Sequence, residues 1–412
     1  MTTSCPALPT HHRKASRSGF ALPRFSQRGM NVFGVVAAMT FLATSAAPTP
    51  LYRLYQEDLH LSSLLLTVVF SVYSLSLLVA LLTVGSLSDY IGRRPVIFAA
   101  LVGNAIAMAM FIEAHSATTL IAARIVQGFS TGAATTALAA AILDTDRTKG
   151  PILNAVTPFA GLTFGSIGSS SLVTFAPDPL HLVFIVLLAG SFALAVALLF
   201  MPETAKAQRG AWASLKPHVL VPAQARAKLL RVTPVVVAAW ALGGFYFSLM
   251  PSLVRAATGL SSPIIGGIVV TALSLGATIG VIWYRNANAA RTLMVGTATF
   301  AAGVAIALAG ISSQLVPILL AGTIISGFGF GAAFAASVRT VLPLAAATER
   351  AGLLSAFYIE CYLAFALPAI AVGLLAPVIG LSNSAYFYGA AIIVLAVTTL
   401  VALRGERAKV AA

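Results

Sequence analysis

Gly85-Ser-Leu-Ser-Asp-Tyr-Ile-Gly-Arg-Arg94 is a polar, charged turn set between two long apolar runs. The run before it, roughly Ser63 to Val84, and the run after it, roughly Pro95 to Glu113, each hold about the 20 residues a helix needs to cross a bilayer. A turn carrying Asp89, Arg93 and Arg94 between two such runs has to lie in water at a membrane face. Arginines there mark the cytoplasmic face, because cytoplasmic loops carry the Lys/Arg excess. Gly92 suits a tight turn that needs positive φ. Gly85 removes a side chain one turn before Asp89 and so permits close approach by a neighbouring helix. On residue chemistry alone, a solvated loop that only sets orientation is the simpler reading.

The rest of the chain extends the membrane pattern. Of its 412 residues 59% are hydrophobic and 9% charged, with a mean hydropathy of +0.95; soluble domains carry about 25% charged residues. Further apolar spans are expected at 64–84, 95–113, 118–140, 151–174, 180–201, 233–254, 263–284, 292–311, 315–338, 351–376 and 384–403. With a first span containing Phe33 to Ala47 they make twelve. That first segment also has the small-residue ending of a signal-peptide core, but its removal would leave an odd number of helices and unmatched halves. The expected organisation is a basic cytoplasmic tail over 1–28, a six-helix bundle over 29–201, a cytoplasmic linker over 202–231, a second six-helix bundle over 232–404 and a short tail over 405–412.

Charge fixes the orientation. The expected outer loops hold only Arg53 and Arg255 as basic residues, whereas the inner ones hold Arg93, Arg94, Arg147, Lys149, Arg285, Arg291, Arg339 and Arg350. Both termini are therefore expected in the cytoplasm, and the net charge of +14 reads as topology, not as a nucleic-acid surface. In the linker, Trp212, Leu215 and Val219 recur at helical spacing among lysines and arginines, which predicts a short amphipathic piece at the membrane surface. Cys5 and Cys361 lie too far apart for a disulfide. Histidines 11, 12, 60, 115, 181 and 218 lack metal-ligand spacing, and no Walker-type phosphate loop is present, so neither a metal, a cofactor, ATP nor an enzyme activity is expected.

The two bundles are repeats. Ile125 to Ala134 in the fourth span and Ile324 to Ala333 in the tenth are identical at six of ten positions, with glycines four apart in both. Thr145-Asp-Arg147 likewise corresponds to Thr348-Glu-Arg350. Such repeats place a transporter's binding site between the halves near the midplane.

Departures from the repeat single out functional residues. Arg124 stands where the second copy has Thr323, and Gln127 where it has Ser326. Arg124, Gln127 and Thr131 share one helix face. A buried arginine costs at least about 2.5 to 3.5 kcal/mol and normally faces a polar cavity or partner, although this one sits near enough to the span's end to snorkel outward. Glu360 is the one acid well inside a span, opposite Thr157 in the repeat. A buried carboxyl without a cation keeps its proton until water or a cation reaches it. Proton coupling or cation binding is one reading of Glu360, and a hydrogen bond between helices is the other. A pocket is expected from Tyr73, Trp240, Tyr246, Phe247, Phe328, Phe330, Tyr358 and Tyr362, each of which could equally face lipid or pack.

Gly85, Leu87, Asp89, Gly92, Arg93 and Arg94 together resemble the GxLxDxxGRR signature of the major facilitator superfamily of transporters. The resemblance implies an all-α fold of twelve transmembrane helices in two pseudo-symmetric six-helix bundles. It also implies a cytoplasmic gate latch in which Asp89, near a helix N-terminus of the opposite half, and Arg93 hold that side closed and part on opening. Asp144 and Asp146 are further expected partners, because the second copy of the loop, Arg285 to Arg291, has no acid. Arg124, Gln127 and Gly128 resemble the RxxQG pattern of proton-coupled members, and Pro48-Thr-Pro50-Leu-Tyr52 loosely resembles the first helix of drug antiporters. Gly161, Gly165 and Gly168 resemble the GxxxGPxxGG signature of exporters, with Ser166 and Ser169 at two departures; small-residue packing is the competing reading. Drug antiporters often place acids in the first helix, and this one has none. The resemblance to the twelve-span drug:proton antiporters implies proton-coupled efflux of a small molecule by alternating access across the plasma (inner) membrane, in a monomer. A sugar or organic-anion transporter, or a non-transporting receptor or scaffold, are the alternatives.

Overall fold

The computed structural model describes residues 26–259, 262–346 and 348–411. Most of the expected basic tail, with Cys5, lies outside the described residues. Twelve long helices follow in order: span 1 Gln27–Ala46, span 2 Ser63–Thr83, span 3 Arg93–Ile112, span 4 Ala117–Thr145, span 5 Gly150–Phe175, span 6 Leu182–Leu198, span 7 Ala223–Ser248, span 8 Pro263–Trp283, span 9 Ala289–Ser312, span 10 Val316–Val341, span 11 Arg350–Ile379 and span 12 Leu381–Ala411. Among the described residues ten helices are long and apolar enough to cross a membrane. Span 5 is long enough but is diluted by Ser166, Ser169, Ser170 and Ser171, and span 6, at 17 residues, is the short one. The sequence signals at the starts are ordinary ones. Ser62, Ser116 and Asn288 each accept a backbone N–H of the first turn of spans 2, 4 and 9, which satisfies donors that helices leave orphaned.

Three boundaries differ from expectation. Span 7 starts at Ala223, so the connection is shorter, and its amphipathic piece is only a turn, Ala213–Leu215. Trp212 there is 84% exposed. Span 12 runs on through the expected tail to Ala411. Spans 1 and 7 both break near their second ends, at Pro48 to Pro50 and at Leu249 to Pro251, and resume as short helices, Tyr52–Asp58 and Met250–Thr258; proline removes a backbone donor and ends a helix.

Alternation of the spans puts residues 85–94 on one face, here the loop face, and the two short helices on the far face. The repeated glycines do the same work in both copies. A Cβ at Gly128 would lie 2.2 Å from the Tyr73 carbonyl oxygen, and one at Gly327 2.2 Å from that of Leu273, so span 4 beds on span 2 as span 10 does on span 8. Where lipid supplies no hydrophobic drive between helices, such close backbone contact is a main source of cohesion.

Spans 1–6 and 7–12 meet mainly through span 2 against span 11 and span 5 against span 8. The large apolar cluster is shared by both sets and concentrates toward the far face, with Phe70, Phe111, Phe245, Leu253 and Val372. On the loop side the core divides in two: one cluster around Phe41 and Leu138 from spans 1–6, the other around Val236 and Phe357 from spans 7–12. Hydrogen bonds joining the two sets among the described residues, such as Thr49 to Phe247, Ser71 to Ala366 and Ser252 to Gln56, follow the same bias. The conformation is sealed on the far side and divided on the loop side.

Candidate functional site

The charged turn is built around Arg93, only 8% exposed. Gly92, at φ +100, turns the chain into span 3. The Arg93 guanidinium then pairs with Asp89, donates to Ser88 Oγ at 2.8 Å, and reaches Asp144 Oδ2 at 3.2 Å. Arg94 donates to the Leu199 carbonyl at 3.0 Å, closing the end of span 6. A Cβ at Gly85 would strike the Leu81 carbonyl oxygen at 2.2 Å.

Asp89 and Arg93 are paired within spans 1–6 while the loop side is divided. Asp89 lies in the first turn of the short helix Ser88–Ile91 of its own half, not at a helix of the opposite half as expected, and the carboxylate seated on the start of span 3 is Glu203. Glu203 accepts from the backbone N–H of Arg93 at 2.8 Å and Arg94 at 3.0 Å, at the start of span 3, and from Thr204 and Ala205 as well. An anion at that position meets both the orphan donors and the positive end of the helix dipole. Its signal was present in the sequence: Glu203 is the only acid between residues 202 and 222. Asp144 also accepts from Thr204 Oγ1 at 3.1 Å, which ties the connection to the turn. Asp146 stays out of this cluster and caps the N–H groups of Thr148 and Lys149. In the second copy, whose loop has no acid, Arg339 of span 10 donates to the carbonyls of Tyr284, Arg285 and Ala287.

These partners rank the variants. Arg93→Ala unties Ser88, Asp89 and Asp144 together in a buried setting, whereas Asp89→Asn removes one partner that is half exposed. Melting in detergent is expected to fall by several degrees for the arginine variant and by at most one or two for the aspartate variant; equal falls would show that the cluster is not organised around Arg93.

Deeper in, Arg124 is 1% exposed. It donates to the Ser45 carbonyl at 3.2 Å and to Gln127 Oε1 at 2.6 Å, and its guanidinium carbon stands 4.3 Å from the centre of the Tyr73 ring. Gln127 in turn donates to the Thr44 carbonyl at 2.9 Å. Among the described residues no carboxylate lies in ion-pair reach of Arg124, and its Nε has no partner. Arg124 therefore turns inward to span 1, not outward along the span. Thr131 shares the helix face but bonds back to the Gln127 carbonyl. The repeat-related Thr323 meets the Tyr246 hydroxyl at 2.9 Å, so Tyr246 closes a contact between spans 7 and 10.

On the other side of the seam lies an aromatic group centred on Trp240, whose ring centre is 5.0 Å from Tyr362, 5.6 Å from Phe334 and 5.8 Å from Phe365. Tyr358 adjoins Tyr362 at 6.2 Å. Phe70, one turn from Tyr73, packs on Phe365 at 5.0 Å, and Phe159 of span 5 meets Phe330 at 5.4 Å. These contacts set the polar Arg124 group and the aromatic group on two sides of one seam. Phe247 is buried in the far-side core. Phe328 does not join them; it lies against Tyr284 at 5.8 Å, near the loop end of span 8. Glu360 faces span 7, where Thr233 Oγ1 donates to its Oε2 at 3.0 Å; its Oε1 has no partner, and neither has Trp240 Nε1. Gly161 and Gly165 bed against Met39 and Ala43 of span 1, while a Cβ at Gly168 would meet nothing beyond its own helix backbone within 4 Å.

Apolar helices of crossing length around buried polar groups make this a multi-pass membrane protein. The chain belongs to the Major Facilitator Superfamily, whose model matches residues 32–286, more than half its length. It is a membrane transporter, with a small molecule as its substrate. Two solved structures superpose on nearly all of it. The crystal structure of the human organic anion transporter MFSD10 (TETRAN) is 16% identical, with a TM-score of 0.66, covering 91% of this chain and 100% of that one. That of a point mutant of the nucleoside transporter NupG is 14% identical, with a TM-score of 0.68, covering 90% and 99%. At such identities the likeness is one of fold. No curated protein sequence matches the chain.

Proposed function

We propose that this transporter works by alternating access and draws on the proton gradient to export small amphipathic or apolar compounds, as the drug:proton antiporters do. The observation that carries this reading is the seam itself. A carboxyl, Glu360, with one oxygen held by Thr233 of span 7 and the other without a partner among the described residues, belongs to the same span as Tyr358 and Tyr362 of the aromatic group. Aromatic faces bind apolar bodies with little demand for hydrogen bonds, and a carboxyl on the span that carries them is suited to taking and releasing a proton as water access changes. The charge asymmetry supports a loop face, with both termini, on the cytoplasmic side of the plasma (inner) membrane. Packing of spans 2 and 11 and of 5 and 8 within one chain supports a monomer as the working unit.

A second reading rests on Arg124. A buried guanidinium with no carboxylate partner suits an anionic substrate, and one of the two superposed structures is that of an organic anion transporter. Inside-out vesicles energised to an acid interior distinguish the two. Antibiotics, dyes, sugars and organic acids are added in turn while internal pH is followed, for the wild type and for Glu360→Gln. Proton efflux evoked by cationic or neutral amphipathic compounds, and lost in Glu360→Gln, is the expected result. A response to organic acids alone supports the second reading. Silence to every compound, with active counterflow of sugars or anions, overturns proton-coupled export.

A further inference from the structure

One hydroxyl proton in span 7 has two acceptors. Thr233 Oγ1 stands 3.0 Å from the Leu229 carbonyl oxygen, one turn back on its own helix, and 3.0 Å from Glu360 Oε2 of span 11. A threonine hydroxyl carries a single proton, so it satisfies one of these oxygens at a time. The next residue, Pro234, lies inside the helix. It has no N–H to offer the Leu230 carbonyl, and its ring crowds that carbonyl, so span 7 is weakest as a helix beside Thr233. Thr233 and Glu360 each lie ten residues from the loop ends of their spans, Ala223 and Arg350, and neither is fully buried.

We propose that Thr233 is a positioning residue that relays the protonation of Glu360 to the bend of span 7 at Pro234. The inference rests on the proton-coupled reading and names the part that moves. When Glu360 is ionised, the Thr233 proton points to Oε2 and ties span 7 to span 11. An arriving proton has one place with an acceptor, since Oε1 has no partner among the described residues whereas Oε2 faces Thr233 Oγ1. The new O–H at Oε2 then donates to Oγ1, and the Thr233 O–H turns to the Leu229 carbonyl. The carboxylate gains one proton and no covalent bond of the threonine changes. That carbonyl already accepts the Thr233 N–H in the regular helix pattern, and a hydroxyl added to the carbonyl four residues back bends a helix. The bend falls between a loop half that packs Leu229 and Val232 into the loop-side cluster of spans 7–12 and a far half that carries Trp240 of the aromatic group. Protonation thus changes the angle between the divided loop side and the aromatic wall.

The other titratable groups around Glu360 leave this relay to Thr233. Cys361 is its neighbour in the chain, and Tyr358 and Tyr362 lie within a turn on the same span. On span 7, Lys228 and Arg231 sit about 140° and about 160° round the helix from Thr233. Span 2 brings Tyr73, which lies against Arg124. Span 12 holds Tyr386 and Tyr388 near its far end and Arg404, exposed, toward its loop end. Among the described residues none of these forms an ion pair or side-chain hydrogen bond with Glu360.

The test reads the bend and needs no substrate. Spin labels are placed at Ala223→Cys, on the loop end of span 7, and at Asn286→Cys, between spans 8 and 9, both exposed positions. Cys5→Ser removes one native thiol, and Cys361, 0% exposed, stays in place. A change of bend of about 15° at Pro234 moves Ala223 by about 4 Å, because about 16 Å of helix lies between them. Pulsed electron resonance in lipid nanodiscs is expected to show a shift of that size between acid and neutral pH in the otherwise unchanged protein. Thr233→Ser, which keeps the hydroxyl, keeps the shift. Thr233→Val, of the same shape without it, loses the shift, and Glu360→Gln holds one distance at every pH. A shift that persists in Thr233→Val but not in Glu360→Gln overturns the relay and leaves proton coupling standing. No shift in the unchanged protein, or an equal shift in every variant, also overturns the relay, and the vesicle assay then decides proton coupling on its own. Should Thr233→Val fail to fold, Pro234→Ala returns a donor to Leu230 and is expected to lose the shift with Thr233 and Glu360 in place. A full shift in Pro234→Ala puts the bend elsewhere and overturns the assignment.

Discussion

Arg124→Leu is expected to abolish substrate-evoked proton movement in vesicles while the purified protein still folds and melts within several degrees of the wild type. The expectation follows from comparing what the arginine costs with what it earns. Holding a guanidinium inside the membrane costs about 2.5 to 3.5 kcal/mol even on the mildest scale. Against that stand hydrogen bonds of a charged donor, at about 1.5 to 3 kcal/mol each, and the Tyr73 ring, at about 2 kcal/mol when desolvated. With two such bonds and the ring the balance favours the arginine by roughly 1.5 to 5.5 kcal/mol, a small share of what holds a chain of 412 residues together. Leucine removes the burial cost but loses these contacts and leaves Gln127 Oε1 without its donor, so melting is expected to fall by several degrees with the fold kept. Arg124→Lys is expected to recover little transport, because a single ammonium on a flexible stem cannot reproduce a planar fork set between Ser45, Gln127 and Tyr73. Wild-type transport in Arg124→Leu would remove Arg124 from the mechanism and leave it as structure alone.

How much of this was legible in the sequence depended on whether a signal was local. The spans were legible because the bilayer imposes a length, and their type because lipid leaves the backbone no partner outside a helix. The repeat around Gly128 and Gly327 was legible because contact at 2.2 Å from a neighbouring carbonyl tolerates no side chain. Arg124 and Gln127 could be grouped because they are three apart on one helix. What stayed hidden were the partners supplied by distant elements. Nothing local says that the acid on the start of span 3 comes from Glu203, 110 residues away. Phe328 and Tyr246 were indistinguishable from Trp240 by composition. Which way an aromatic residue faces is decided by packing against other spans, and a single apolar helix carries little asymmetry from which to read it. Arg53 and Arg255 were noted only as exceptions to the charge rule. Their convergence on Glu57 needs both short helices in place.

Gly165→Ala and Gly168→Ala part company although the two glycines belong to one motif. The alanine methyl at 165 falls 2.4 Å from the Ala43 carbonyl oxygen and 2.5 Å from its Cα, so span 1 must move as a backbone, with no flexible side chain to yield. Overpacking of a close-packed interior costs about 1 to 3 kcal/mol even where side chains can give, and more is expected here. At 168 the methyl meets nothing within 4 Å, and replacing a glycine inside a helix gains about 1 kcal/mol of propensity. Gly165→Ala is thus expected to lose the monodisperse peak on size exclusion or to melt well below the wild type, and Gly168→Ala to elute unchanged and melt at the same temperature or higher. Equal behaviour of the two would mean that spans 1 and 5 are not packed as described. The pair also decides what the motif is for. Packing accounts for Gly161 and Gly165 but gives Gly168 no task. If Gly168→Ala folds normally yet slows transport, the third glycine serves the movement of span 5 against span 8, and the resemblance to exporters extends from sequence to mechanism. If it transports normally, the motif reduces to a two-glycine seat for span 1.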